Sequence, residues 1–125
     1  MKKNNHVDLL NVYHTEPPYP AHSFLVDRLW PRGVRKEKLE GVEWLKDVAP
    51  TTELRQWFHQ NHEEWDTFQK QYRKELTHNE AAWQPLLVLL LAGKSIALLS
   101  GNKDEEHNQA VVLREFLMHK VKAAK

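Results

Sequence analysis

The apolar run over residues 95–100, Ser-Ile-Ala-Leu-Leu-Ser, is the feature that most constrains the fold of this chain. A run of this length between turn residues suits a buried strand. It follows a segment with helical spacing of apolar residues, and Gly101 and Asn102 turn the chain into another such segment. Strands that alternate with helices in this way are typical of a mainly parallel sheet covered on both faces. The pattern therefore predicts an α/β domain.

The rest of the chain supplies the other elements of a four-stranded sheet with helices on both faces, and residues 1–125 are expected to form one domain. Further strands are predicted over residues 7–13, 23–29 and 42–48. Thr51 is a suitable N-cap for a first helix. A second helix carries the apolar stripe Trp65, Phe68, Tyr72 and Leu76. The last two helices are predicted over residues 79–92, ended by Gly93, and from about 104 to 121.

Composition excludes several classes of protein. The chain has no cysteine, which excludes disulfides, thiolate metal sites and cysteine nucleophiles. Its formal net charge of +1 excludes a global polycation. The longest apolar run, residues 86–92, is far below the roughly 20 residues of a membrane span, and residues 1–6 do not resemble the start of a signal peptide. We expect a cytoplasmic protein without membrane contact. His59 and His62 lack an accompanying ligand motif, so no metal and no cofactor is expected.

The segment over residues 24–33, Phe-Leu-Val-Asp-Arg-Leu-Trp-Pro-Arg-Gly, marks a candidate site. Its apolar start reads as a strand, and the proline and glycine at its end turn the chain away from the sheet. Open α/β sheets place ligands where strands end in this way. The candidate residues are Asp27, Arg28, Trp30 and Arg32. Asp27 and Arg28 either form a structural ion pair that fixes the turn, or Arg28 binds an anion while Asp27 orients it or acts as an acid or base. Trp30 either packs over the sheet edge or stacks on a base.

A second candidate segment follows the last predicted strand. Ser100, Gly101 and Asn102 lead towards a helix N-terminus, whose free N–H groups suit an anion. The segment lacks the glycine spacing of dinucleotide folds and of P-loops. Parallel strands end at the same edge of a sheet, so we expect both segments to line one concavity. The predicted ligand-binding residues at this second segment are Ser100, Asn102, Asn108 and Gln109.

Four segments of the chain together resemble the small, YeaO-like branch of the DUF488 family. They are the segment 24–33, Val-Ala-Pro-Thr-Thr-Glu-Leu-Arg over 48–55, Trp-Asp-Thr-Phe-Gln-Lys-Gln-Tyr-Arg-Lys-Glu-Leu over 65–76, and Leu-Leu-Ser-Gly-Asn-Lys-Asp-Glu-Glu-His-Asn-Gln-Ala-Val-Val-Leu over 98–113. The resemblance spans nearly the whole chain in the family's order. It implies a small Rossmann-like α/β domain and supplies no established reaction or catalytic residue.

The chain departs from the family pattern at one position. The last motif of the family usually reads Asn-His-Ala, where this chain has Asn108, Gln109 and Ala110. An amide neither takes up a proton near neutral pH nor readily ligates a metal. Either the family histidine serves binding, which an amide can imitate, or this protein has lost an activity.

Three functions fit these observations. The first is a binding or catalytic domain for an anionic small molecule such as a nucleotide or a nucleic-acid fragment. The second is a nucleic-acid module whose basic patch comprises Arg32, Arg35, Lys36 and Lys38. The third is a structural or partner-binding protein without a ligand. The balanced charge disfavours the second function, because phosphate contacts need positive charge unopposed by acids. The sequence therefore favours a ligand-binding domain, with the reaction and the oligomeric state left open.

Overall fold

The computed structural model describes residues 6–124. Within them, four strands form one sheet: β1 (Val7–Asn11), β2 (Ser23–Leu25), β3 (Glu43–Trp44) and β4 (Ile96–Ser100). Four α-helices accompany it: α1 (Thr52–Gln60), α2 (Trp65–Thr77), α3 (Glu80–Leu91) and α4 (Gln109–Ala123). The predicted α/β domain with a four-stranded parallel sheet is confirmed. Residues 1–5, part of the start that was judged unlike a signal peptide, lie outside the described residues.

The strands lie in the order β1-β4-β2-β3, and each neighbouring pair is parallel. The central strand β4 pairs with β1 on one side and with β2 on the other, so Leu98 lies opposite both Leu9 and Phe24. All five residues of β4 are buried. A strand covered on both faces favours apolar residues at successive positions, which explains the apolar run over residues 96–99.

The two faces of the sheet are covered differently. Phe24, Ile96 and Leu98 pack into a core with the buried residues of the four α-helices. Leu25, Ala97 and Leu99, which alternate with them, pack instead against Leu39 of the 3-10 helix Lys36–Leu39 and against irregular segments. Helices were expected on both faces. Within residues 6–124 the second face is covered by this 3-10 helix and irregular segments, because the chain between β2 and β3 is broken by Pro31, Gly33 and Gly41.

Several element boundaries differ from the prediction. The strand predicted over residues 23–29 ends at Leu25, and the strand predicted over 42–48 is reduced to Glu43–Trp44 followed by the 3-10 helix Lys46–Val48. The last helix begins at Gln109, not near Asp104, because Asp104 accepts N–H bonds from Glu106 and His107 and so closes a separate turn.

Two helix ends follow their predicted chemistry. Thr51 Oγ1 accepts a hydrogen bond from Leu54 N at 3.2 Å and so caps α1. Gly93 has a φ of +87° and ends α3 in the left-handed region that glycine favours. Among the helices of residues 6–124, none combines the length and the apolarity that crossing a membrane requires.

Candidate functional site

A cavity of about 410 Å³ opens where β2 and β4 end, a size typical of small-molecule sites. The lining comes from the residues after β2, the residues just before α1, α1 and the loop that follows it, one residue of α2, and the segment from the end of β4 to the start of α4. Of the eight predicted site residues, the cavity lining includes Asp27, Arg28, Asn102, Asn108 and Gln109. The edge of the sheet that the sequence indicated therefore carries a concavity.

Asp27 is held by two donors from different elements. Gly101 N donates to Oδ2 at 2.8 Å, and Gln109 Nε2 donates to Oδ1 at 2.6 Å. Burial raises the pKa of this carboxyl from 3.8 to about 6, although both hydrogen bonds and the nearby Arg55 charge oppose the rise. Loss of hydration therefore outweighs the favourable contacts of the ionised form.

Gln109 belongs to a chain of amide hydrogen bonds. Its Oε1 accepts from Asn102 Nδ2 at 2.8 Å, while the carbonyl of Asn102 accepts from Asn11 Nδ2 at 2.7 Å. Together with the bond to Asp27, these contacts join the ends of β1, β2 and β4 to the first residue of α4. Both polar atoms of the Gln109 amide are thus engaged within the protein.

Gly101 lies in tight contact with the residues around it. A Cβ atom at this position would lie 3.2 Å from the Tyr13 ring, 3.3 Å from Pro31 Cβ and 3.4 Å from Asp27 Oδ2. The missing side chain is what lets the backbone approach the carboxylate of Asp27 closely enough for its N–H to donate. Glycine is therefore needed at this turn so that the backbone can lie close to Tyr13, Pro31 and Asp27.

Arg28 is directed at backbone carbonyls. Its Nε donates to Pro50 O at 3.0 Å, and its Nη2 donates to Ala49 O at 3.0 Å. Within residues 6–124 it forms no ion pair with Asp27, so the structural pairing of these two residues that was considered from the sequence is not what holds the turn. The guanidinium instead fixes the segment that leads into α1.

Arg55 of α1 lines the cavity and was not among the residues predicted from the sequence. Its Nε is buried and has no hydrogen-bond acceptor among the residues that the structure describes. The charge of this side chain acts on Asp27 and partly opposes the rise that burial causes in the pKa of that carboxyl. A signal for it existed, since Arg55 closes the segment 48–55 that carries part of the family resemblance.

Three predicted site residues lie outside this lining. Trp30 donates from Nε1 to Val34 O at 2.7 Å and packs edge-to-face on Trp44, with 5.3 Å between ring centroids, on the other face of the sheet. Arg32 is exposed, and its carbonyl accepts from the Tyr13 hydroxyl at 2.7 Å. Ser100 is buried and borders a much smaller pocket of about 40 Å³. These three residues therefore do not line the cavity.

Asn108 serves as the N-cap of α4. Its Oδ1 accepts from Ala110 N at 2.9 Å and from Val111 N at 3.2 Å, and its Nδ2 donates to Asp104 O at 2.8 Å. The sequence analysis placed this residue inside the helix. Because the side chain is occupied by the cap, its contribution to the cavity is to orient the start of α4.

Aromatic rings and imidazoles form one side of the cavity lining. Phe58 stacks on Phe68 with 4.3 Å between centroids, and His62 stacks on Phe58 at 5.1 Å. His59 and His107 also line the cavity. In residues 6–124 no group of three or more His, Asp or Glu side chains is arranged to hold a metal. Elemental analysis of protein purified without an affinity tag tests the prediction that the chain needs none.

Comparisons with a family profile and with individual proteins indicate the same family. The profile described as the inactive DUF488-N3 subclade matches residues 6–125. The chain is 36% identical over 118 residues to the uncharacterized protein Rv3073c of Mycobacterium tuberculosis, covering 94% of this chain and 98% of the relative. It is 37% identical over 106 residues to the uncharacterized protein YeaO of Escherichia coli, covering 85% of this chain and 91% of the relative. No solved structure matches significantly.

Proposed function

Because this chain belongs to the DUF488 family, in the subclade described as inactive, we propose that it is a non-catalytic domain that binds an anionic small molecule. The observation that carries the proposal is the cationic side chain of Arg55, which lines the 410 Å³ cavity and whose Nε, itself buried, has no acceptor in residues 6–124. A charged donor group that is poorly paired within the protein gains most from a charged acceptor, because hydrogen bonds to charged groups contribute about 1.5–3 kcal/mol. An anion in the cavity beside this guanidinium supplies such an acceptor.

The charge of the cavity lining supports an anion. Arg28, Arg55 and Lys103 contribute three cationic side chains, against Asp27 and Asp104. The hydrogen bonds of Arg28 go to neutral carbonyls, so they leave its charge uncompensated. Guanidinium groups present parallel N–H donors that fit phosphate or carboxylate oxygens.

The apolar part of the lining supports a ligand with a flat hydrophobic portion. Phe58, Phe68, Leu29 and Pro50 lie in the same cavity as the arginines. Sites for small molecules commonly combine such a wall with a few polar groups that fix orientation. An aryl phosphate or a nucleotide has both parts, whereas inorganic phosphate has only the anionic one.

The contacts of Asp27 support a role without catalysis. Each oxygen of Asp27 accepts from a donor that the fold fixes, Gly101 N–H on one side and the Gln109 amide on the other. These bonds form within the protein whether or not a ligand is bound, so they give Asp27 a structural role in joining the strand ends to α4. An amide at position 109 does not titrate near neutral pH, so it cannot relay a proton to the carboxylate.

Thermal-shift titration of the full chain with phosphate, phenyl phosphate and a nucleoside monophosphate tests the proposal. Phenyl phosphate should stabilise the protein more than phosphate at equal concentration, and a ligand at 100 times its dissociation constant adds about 2.7 kcal/mol. Arg55→Gln should weaken binding about tenfold or more, since a hydrogen bond to a charged group is lost.

Arg35→Gln is the matched control, because Arg35 is an exposed arginine outside the cavity lining. Equal loss of binding in both variants would refute the assignment to the cavity. An oligonucleotide that binds the wild type and is released by Arg35→Gln would instead support the alternative of a nucleic-acid patch. No stabilisation by any of the three probes would argue against the proposed ligand class.

A further inference from the structure

Helix α3 differs from its neighbours in what it presents to solvent. The exposed positions of α2 all carry charged or polar residues, namely Asp66, Lys70, Gln71, Arg73, Lys74 and Thr77. The exposed positions of α3 after its first residue are Ala81, Gln84, Pro85, Val88 and Leu91, with Ala92 directly after the helix. Val88 is 56% exposed and Leu91 is 49% exposed. A helix that is apolar all round is usually buried on all sides, so this face has the character of a buried surface.

The exposed apolar residues of α3 form one continuous stripe. At about 100° per residue, Ala81, Pro85, Val88 and Ala92 fall within a narrow arc, and Leu91 lies further round the helix beyond Gln84. Val88 lies near the middle of the stripe along the helix axis, and the alanines at the two ends leave room for the backbone of another helix. Contiguous apolar patches on soluble proteins commonly mark places where another protein binds.

The charges at the two ends of the stripe indicate what covers it. Glu80 begins α3 and Lys94 follows its end, and both side chains are exposed. Neither forms an ion pair within residues 6–124. When a second α3 lies antiparallel with its centre opposite the first, Glu80 of each helix lies beside Lys94 of the other. The same alignment places Ala81 near Ala92 of the second helix and Pro85 near its Val88.

From this complementarity we propose that the exposed face of α3 binds the same face of a second copy of this chain, antiparallel about a twofold axis. An interface of this kind is self-complementary, as a symmetric dimer requires. Antiparallel alignment also pairs the opposite ends of the two helix dipoles. The contact is confined to one helix of 12 residues, so the dimer belongs to the small, weak class of interfaces. The proposal does not depend on a ligand in the cavity.

Sedimentation velocity of the full chain from about 10 µM to 1 mM tests it, a range that covers weak association. The sedimentation coefficient should rise from the monomer value to the dimer value across the series. Val88→Glu should keep the protein monomeric throughout, because it places two carboxylates at the centre of the contact. Gln71→Glu, which adds the same charge at an exposed position of α2, should dimerise like the wild type. A wild-type protein that stays monomeric to the highest concentration overturns the proposal.

Reversal of the end charges tests the orientation separately. Glu80→Lys alone or Lys94→Glu alone juxtaposes like charges twice in the dimer and should raise its dissociation constant about tenfold. The double variant restores opposite charges and should return the constant to near the wild-type value. A double variant no better than the single ones would overturn the antiparallel arrangement. If Val88→Glu dimerises like the wild type, the dimer forms through another surface of the chain, and the proposed role of α3 is wrong.

Discussion

Replacing Asp27 by asparagine should change how the stability of the protein depends on pH. Burial raises the pKa of Asp27 from 3.8 to about 6, despite the opposing contacts of Gly101, Gln109 and Arg55. The folded protein therefore binds this proton more tightly than the unfolded chain does. The resulting stabilisation is fully present below pH 3.8 and is lost as the pH rises through about 6.

The size of the effect follows from the gap of about two pH units between the two pKa values. At about 1.4 kcal/mol per unit, it corresponds to about 3 kcal/mol. Asparagine does not titrate, and its oxygen can still accept from Gly101 N–H. Its amino group faces the Gln109 amide, which adds a cost that does not vary with pH. The unfolding free energy of the wild type minus that of Asp27→Asn should therefore fall by up to about 3 kcal/mol between about pH 4 and 8.

Urea unfolding of both proteins across this range measures the difference. Asp104→Asn provides a control of opposite sign. Slight burial raises the pKa of Asp104, but hydrogen bonds from Glu106 and His107 outweigh it and leave the pKa lowered. Its contribution is present above the unfolded pKa and lost as the pH falls, so the corresponding difference should rise with pH. A difference for Asp27→Asn that is flat, or that rises with pH, would refute the reasoning.

Three further changes have defined outcomes. Phe68→Ala should cost roughly 3–5 kcal/mol in urea unfolding, since Phe68 is 2% exposed and stacks on Phe58; a variant that melts like the parent would contradict this. Gly101→Ala should cost about 1–3 kcal/mol, because its Cβ meets Tyr13 and Pro31 at 3.2 and 3.3 Å; unchanged stability would mean that the turn yields freely. Gln109→His should alter affinity for a bound anion by only about 1 kcal/mol, whereas turnover that appears in this variant alone would show a lost catalytic role.

The elements of this fold were predictable because each has a local cause. Four strands and four helices follow from apolar runs, helical spacing, the Thr51 cap and Gly93, all within short stretches of chain. The exact ends of the helices and strands were harder to predict, because the local sequence often allows more than one. Asp104 and Asn108 are both good capping residues four positions apart. The cap formed at Asn108 because Asp104 had already accepted the N–H bonds of its own turn.

The location of the candidate site could be predicted from the sequence, but only some of the residues that line it could. Parallel strands end at one edge, so the residues after β2 and β4 meet there. Trp30 is only three residues from Asp27 in the sequence but does not line the cavity. The chain turns at Pro31, and the indole packs with Leu25 and Leu99 on the face of the sheet opposite the α-helices. Arg55 lies 28 positions from Asp27. Arg55 reaches the cavity because of the way α1 packs over the sheet, and this packing cannot be predicted from the local sequence.

The hydrogen bonds of the cavity divide it into a closed part and an open part. Hydrogen bonds join Asn11 to the carbonyl of Asn102, the Asn102 amide to Gln109 and Gln109 to Asp27, so this part is held together without a ligand. On the other side lies the cationic side chain of Arg55, which lines the cavity and whose buried Nε has no acceptor within residues 6–124. An anion gains most beside a cation whose donors are not already engaged, since it replaces no existing hydrogen bond there. Arg55→Gln is therefore expected to weaken binding far more than Gln109→His. If Gln109→His proved the more damaging change, the amide chain would be part of the binding surface itself.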